Sequence, residues 1–184
     1  MFLRIVPVSN IPQGILERVR RELETDLSIK CRIMPRLPIP EGAFNRWRKQ
    51  YNAEIILSML SDESAVKFID KNIPTLMITD VDLYYASLNF VFGLEYPAKS
   101  SAIVSITRLR PEFYDERANM NLLCERVIKE VIHEIGHYIG LRHCVNTLCV
   151  MCFSPSVGDV DTKQKYFCEN CRIKLMTRGI NIGE

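Results

Sequence analysis

At 184 residues the chain has the length of one ordinary domain, long enough to bury roughly 70% of the surface its unfolded form exposes. Its composition, 47% hydrophobic and 25% charged, is that of a soluble globular protein, and no run approaches the roughly 20 apolar residues that a membrane span needs. A formal net charge of +2 is too small to mark nucleic acid or an anionic membrane as the partner. The opening apolar run, Met1 to Val8, is short and interrupted by Arg4 and Pro7, so it does not read as a signal peptide, and a cytoplasmic location is expected. Seven cysteines without such a signal argue against a disulfide framework, as does the odd count.

Residues 2–8 alternate partly and are rich in Ile and Val, which predicts a first strand. Asn10 and Pro12 mark a helix start, and Ile15, Leu16, Val19, Leu23 and Leu27 follow at helical spacing. Charges between them make the helix amphipathic, with its apolar stripe toward a sheet. Ile29 to Met34 is the second strand, so the order points to a right-handed parallel crossover. Pro35, Pro38 and Pro40 mark an irregular connection. A second helix is expected from Glu41, with Phe44, Trp47, Tyr51 and Ile55 as a core stripe. Ser61 to Lys71 reads as a turn or short helix, and Thr75 to Thr79 as the third strand. Asp80 and Asp82 at its end read as structural acids.

Asn89–Glu95 and Ala102–Thr107 are two further strands, and the short loop between them favours an antiparallel pair. Pro111 to Asp115 is a loop. A long helix then starts near Arg117, with Val127, Ile128, Val131, Ile132, Ile135 and Ile139 giving it a broad apolar surface. It ends in His133-Glu134-Ile135-Gly136-His137-Tyr138-Ile139-Gly140-Leu141-Arg142-His143, which holds all three histidines of the chain. Histidines four apart on a helix project from one face, which suits two nitrogen ligands on one zinc ion. Gly140 can end the helix left-handed, so that the chain turns back and delivers His143 to the same ion. Three nitrogens leave a fourth tetrahedral position for water, as in catalytic rather than structural zinc sites. Glu134 stands beside that position as a general base.

Cys144 and Cys149, then Cys168 and Cys171, form two spaced pairs of soft ligands. Four thiolates close a coordination shell, so this second zinc is expected to be structural, stapling a segment with little hydrophobic periodicity. A reduced buried set or a disulfide pair is the alternative. Cys31, Cys124 and Cys152 are left over, the first two as packed thiols. The last residues, from Thr177 on, carry little hydrophobic pattern and are expected to fray.

The fused motif resembles the metzincin signature. Followed directly by Cys-x4-Cys-x-Met and a later Cys-x2-Cys, it resembles the archaemetzincin family of zinc metallopeptidases, with looser support from residues 78–83 and 89–93. The resemblance implies an α+β fold, α/β/α-like, with a mixed, mostly parallel twisted sheet, backing and active-site helices and a small zinc-stapled C-terminal subdomain. Residues 1–140 then form the metzincin subdomain and residues 141–184 the C-terminal one. Met151 matches the Met-turn position, an apolar floor beneath the ligands. The 90–95 strand becomes the candidate edge for main-chain pairing with extended substrate.

The implied function is peptide-bond hydrolysis with two zinc ions per chain, a peptide or protein substrate, no nucleic-acid or membrane partner, and a monomeric chain. The alternative is a peptide-binding module with a weak or blocked metal centre, for which Cys152 is the candidate blocking thiol. A nucleic-acid-binding zinc ribbon, using Lys163, Lys165, Arg172, Lys174 and Arg178, is less favoured because the chain is nearly neutral. Tyr166 is available near the metal, but its spacing assigns it no role.

Overall fold

In the computed structural model, which describes residues 1–61 and 73–180, the chain opens with strand β1, Phe2–Val8. Leu3 and Ile5 enter one hydrophobic core and Val6 and Val8 another, as the two-residue period of a strand covered on both faces requires. Helix α1, Gln13–Asp26, buries Ile15, Leu16, Val19 and Leu23 on the first of these faces. Strand β2, Lys30–Ile33, then returns parallel to β1, as the strand–helix–strand order predicts.

The helix expected from Glu41 does not form. A single 3-10 turn at Glu41–Ala43 leads into a hairpin of β3, Phe44–Asn45, and β4, Gln50–Asn52, and helix α2 spans only Ala53–Leu60. The reason is local. The Asn45 side chain accepts the backbone N–H groups of Trp47 and Arg48, offering the chain a turn in place of helical bonds. Lys49 takes a left-handed φ of 54°, and Asn52 caps α2 by accepting from the Ile55 N–H. The aromatic stripe is therefore not core: Trp47 at the hairpin tip is 98% exposed, Phe44 and Ile55 are exposed, and Tyr51 is half-buried.

Strand β5, Thr75–Thr79, is buried throughout and pairs in parallel with β1. Apart from Ser61, the segment expected as a turn or short helix over 61–71 lies outside the described residues. Strand β6, Leu83–Tyr84, joins the hairpin in a small three-stranded sheet. Strand β7, Gly93–Tyr96, and β8, Ser101–Ser105, form the expected antiparallel pair. Residues 89–92 precede β7 as loop, with Val91 bridging to Leu83. The central sheet has the order β2-β1-β5-β8-β7, with β7 at its edge.

The connection after β8 contains 3-10 turns, including Pro111–Tyr114 where a loop is expected. Helix α3, Met120–Tyr138, is capped by the Asn119 side chain and packs with α1 on one face of the sheet; α2 covers part of the other. The mixed, mostly parallel α/β/α architecture is as expected. Two short helices follow: α4, Val157–Thr162, with a Ser156–Asp159 capping box, and α5, Glu169–Met176. Met151, Val160, Phe167 and Leu175 join the α1–α3 core. The tail does not fray through its described part: Ile180 packs on that core, and Arg178 donates to the Gly140 carbonyl. No helix among the described residues is long and apolar enough to cross a membrane.

Candidate active site

Helix α3 is nearly encircled by core, so its last two turns are held rigidly while His133 and His137 leave it toward the β7 side. The end of the helix is tied by two bonds of the Schellman type. Leu141 N–H reaches the Gly136 carbonyl at 2.8 Å and Gly140 N–H the His137 carbonyl at 2.8 Å, with Gly140 at φ +91°. This reversal carries His143 back, and its ring centroid lies 5.3 Å from that of His133 and 4.8 Å from that of His137.

Each helical histidine is oriented by a backbone carbonyl. His133 Nδ1 donates to Val150 O at 2.8 Å and His137 Nδ1 to Leu141 O at 2.9 Å, which leaves both Nε2 atoms with lone pairs. Those two Nε2 atoms face each other at 3.1 Å. Two bare lone pairs repel at that distance, whereas ligands about 2.0 Å from one tetrahedral ion sit about 3.3 Å apart. The ligating atoms of all three histidines lie within 4.8 Å of one another. Burial lowers the pKa of all three, with Lys163 adding to the effect, so each stays neutral and able to ligate below the usual imidazole range. The residues present fit a single N-ligated cation.

Glu134 is buried on the inner wall, its carboxylate against the backbone of β7; a Cβ on Gly93 would come within 2.5 Å of Oε1. Burial pushes its carboxyl well above the usual range, and the carboxylates of Glu130 and Glu95 push the same way while Lys163 opposes them. A cavity of about 470 Å³ opens there, lined by residues 88–95, by His133, Glu134, His137 and His143, and by residues 153–155.

Below the histidines, Met151 is fully buried and packs so closely on α3 that a Cβ on Gly136 would overlap its sulfur. Cys144 N–H donates to the Met151 carbonyl at 2.9 Å, which fixes the residue next to His143 onto the methionine segment. Cys144, Cys149, Cys168 and Cys171 bring their sulfurs within 4.8 Å of one another. The Cys144–Cys168 and Cys149–Cys171 separations are 3.7 and 3.8 Å, far beyond a disulfide of about 2.05 Å. They match the roughly 3.8 Å edge of a tetrahedron with metal–sulfur bonds of about 2.3 Å. Burial pushes the Cys149 and Cys171 thiols up. Burial also raises Cys168, but donation from the Cys171 backbone and neighbouring thiols brings it below its ordinary value. This donor set fits a soft cation.

Cys152 belongs to neither cluster and does not line the cavity. Tyr166 is exposed and also lies away from the cavity. Asp82 is held by two bonds from Arg108 at 2.6 and 2.8 Å and one from Gln50, the structural role expected of it. Two basic residues of the ribbon reading are committed elsewhere. Lys163 is wholly buried on Glu130 at 2.8 Å, and Lys165 pairs with Glu22 and Asp26. Glu130 has no expected role in the sequence; Gly93 and Glu95 are expected only as part of the 90–95 edge strand, and Lys163 only as one base of the ribbon alternative. Glu130 alone has a legible signal, one turn before Glu134 on the same helical face; the others are placed by long-range contacts.

The model of Peptidase family M54 matches residues 8–177. An archaemetzincin of Methanocaldococcus jannaschii is 40% identical over 183 residues, covering 100% of this chain and 97% of that protein. One of Pyrococcus furiosus is 38% identical, covering 95% and 92%. Among solved structures, a zinc-dependent peptidase from Methanocorpusculum labreanum superposes with a TM-score of 0.84 at 35% identity, covering 94% of this chain and 99% of its own. Archaeoglobus fulgidus archaemetzincin, complexed with malonate, does so with 0.79 at 34%, covering 95% and 99%. Fold, site and relatives together define the class, a zinc metallopeptidase. The chain belongs to Peptidase family M54, the family of the archaemetzincins.

Proposed function

We propose that the chain hydrolyses peptide bonds at a zinc ion held by His133, His137 and His143, with Glu134 as general base. A second, structural zinc is held by Cys144, Cys149, Cys168 and Cys171. Bound catalytic zinc supplies electrophilic polarisation and brings the pKa of water down toward about 7. Glu134 accepts the proton from the attacking water and returns it to the leaving amine; its burial keeps it basic enough to do both. Edge strand β7 offers backbone groups to an extended peptide lying between residues 1–140 and the C-terminal subdomain, residues 141–184. Gly140 sets the turn that delivers His143, and Met151 gives the ligands an apolar floor. The chain is proposed to act as a cytoplasmic monomer on peptide or protein, without nucleic acid.

The observation that carries this reading is the pair of facing Nε2 atoms 3.1 Å apart beside a buried carboxylate on the cavity wall. The blocked-site alternative gains no support, since Cys152 Sγ lies outside the histidine group. The test is a mixed peptide library incubated with zinc-loaded chain and with Glu134→Gln, read by mass spectrometry alongside metal analysis. The expected result is two zinc ions in both proteins and turnover about 10²–10⁴-fold lower in the variant. Undiminished turnover in Glu134→Gln would assign the base elsewhere.

A further inference from the structure

Glu95 lies two residues beyond Gly93 on β7, so both side-chain positions share the face turned toward α3. The register supports this, since Gly93 pairs with Val104 and Glu95 with Ala102, both part of the α3-side core. At about 3.3 Å per residue, Glu95 stands roughly 6.6 Å along the strand from the point where β7 touches Glu134. Glu95 lines the cavity, half-buried, and its carboxylate makes no hydrogen bond or ion pair to any described residue.

The other wall carboxylates are already engaged: Glu130 is paired with Lys163, and Glu134 is the proposed base. No lysine or arginine lines the cavity among the described residues. Arg108, close by, is spent on Asp82 and on the faces of Phe90 and Phe113. Burial alone pushes the Glu95 carboxyl up, the mark of a group that lost water and gained no partner.

We infer that Glu95 forms a subsite that binds a cationic group of the substrate, ammonium or guanidinium, within about two residues of the scissile bond. The inference rests on the peptidase reading. A peptide lying alongside β7 passes the catalytic centre at Gly93 and Glu95 in turn, so a basic residue there meets a partly desolvated counter-charge. Such a pair attracts more strongly than one in open water.

The test separates binding from turnover. Zinc-loaded Glu134→Gln is titrated with fluorescent octapeptides in which lysine, or the uncharged norleucine, is scanned through each position. At one position lysine is expected to bind about tenfold tighter at low salt. Adding Glu95→Gln brings that ratio near one, and Glu95→Lys turns the preference toward glutamate. The same series with acetylated amino termini identifies the source of the charge. Preference that follows lysine assigns a side-chain subsite, and binding lost on acetylation assigns the peptide α-ammonium; either upholds the inference. Equal affinities at every position with free amino termini and no effect of acetylation would overturn it, as would a preference that survives Glu95→Gln. A chain with Glu134 intact that cuts nothing would overturn the peptidase reading, while the binding ratios still decide the role of Glu95.

Discussion

Gly136 shows how a single residue is set by its neighbours rather than by its helix. On propensity alone, alanine in place of Gly136 in the last turn of α3 would stabilise the helix by up to about 1 kcal/mol. The packing reverses that expectation, because the added Cβ overlaps Met151 and presses on Phe167. Gly136→Ala is therefore expected to destabilise the fold by roughly 1–3 kcal/mol, seen as a lower Tm in calorimetry. A higher Tm would mean that Met151 moves aside freely and is no fixed floor. The histidine tautomers are a similar matter of placement: the Val150 and Leu141 carbonyls hold the Nδ1 protons and leave the Nε2 atoms of His133 and His137 facing each other.

At the scale of elements, helix α3 is clamped to the C-terminal segment by two ion pairs at successive turns. Arg126 binds Asp161 through two bonds, and Glu130 binds Lys163, whose side chain is wholly buried and also donates to the Cys152 carbonyl. Lys163→Met is expected to cost about 3–5 kcal/mol in chemical denaturation, because it strands the Glu130 carboxylate without its partner. Adding Glu130→Gln should recover more than half; no recovery would place the loss in packing instead. The β3–β4 hairpin is a second fastening. Arg48 at its tip donates to the Leu88 and Asn89 carbonyls and stacks on Tyr84, tying the hairpin to a loop that lines the cavity.

Across the whole molecule, the two candidate metal centres meet at one peptide bond, between His143 and Cys144. The Cys144 N–H fixes that bond to the Met151 carbonyl, while the helix end and Gly140 fix it from the other side. Loss of one thiolate should thus reach the histidines. Cys168→Ser is expected to reduce bound zinc by one equivalent and to weaken zinc at the histidine site by at least about tenfold, the usual scale for loss of support around a ligand. Chelator competition measures this, and unchanged affinity at the histidines would show the centres to be independent.

Much of the catalytic region is legible in the amino-acid sequence by itself. The spacing of His133, His137 and His143 around Gly140, and of the cysteines within each pair, is local, and local spacing on a helix or tight turn becomes geometry directly; the meeting of the two cysteine pairs, more than twenty residues apart, is a tertiary contact. The parallel crossover of β1 and β2 is legible for the same reason, since periodicity and length specify it. The hairpin at Phe44 to Asn52 is not, because an aromatic residue every three to four positions looks like a buried helical face. The Asn45 turn, with no covering surface among the described residues, puts Trp47 in solvent. Likewise, the sequence presents Lys163 as one of several surface bases and Glu95 as one more acid in a strand. The burial and pairing of Lys163, and the cavity that Glu95 lines, arise from contacts between residues far apart in the chain, which tertiary structure alone decides.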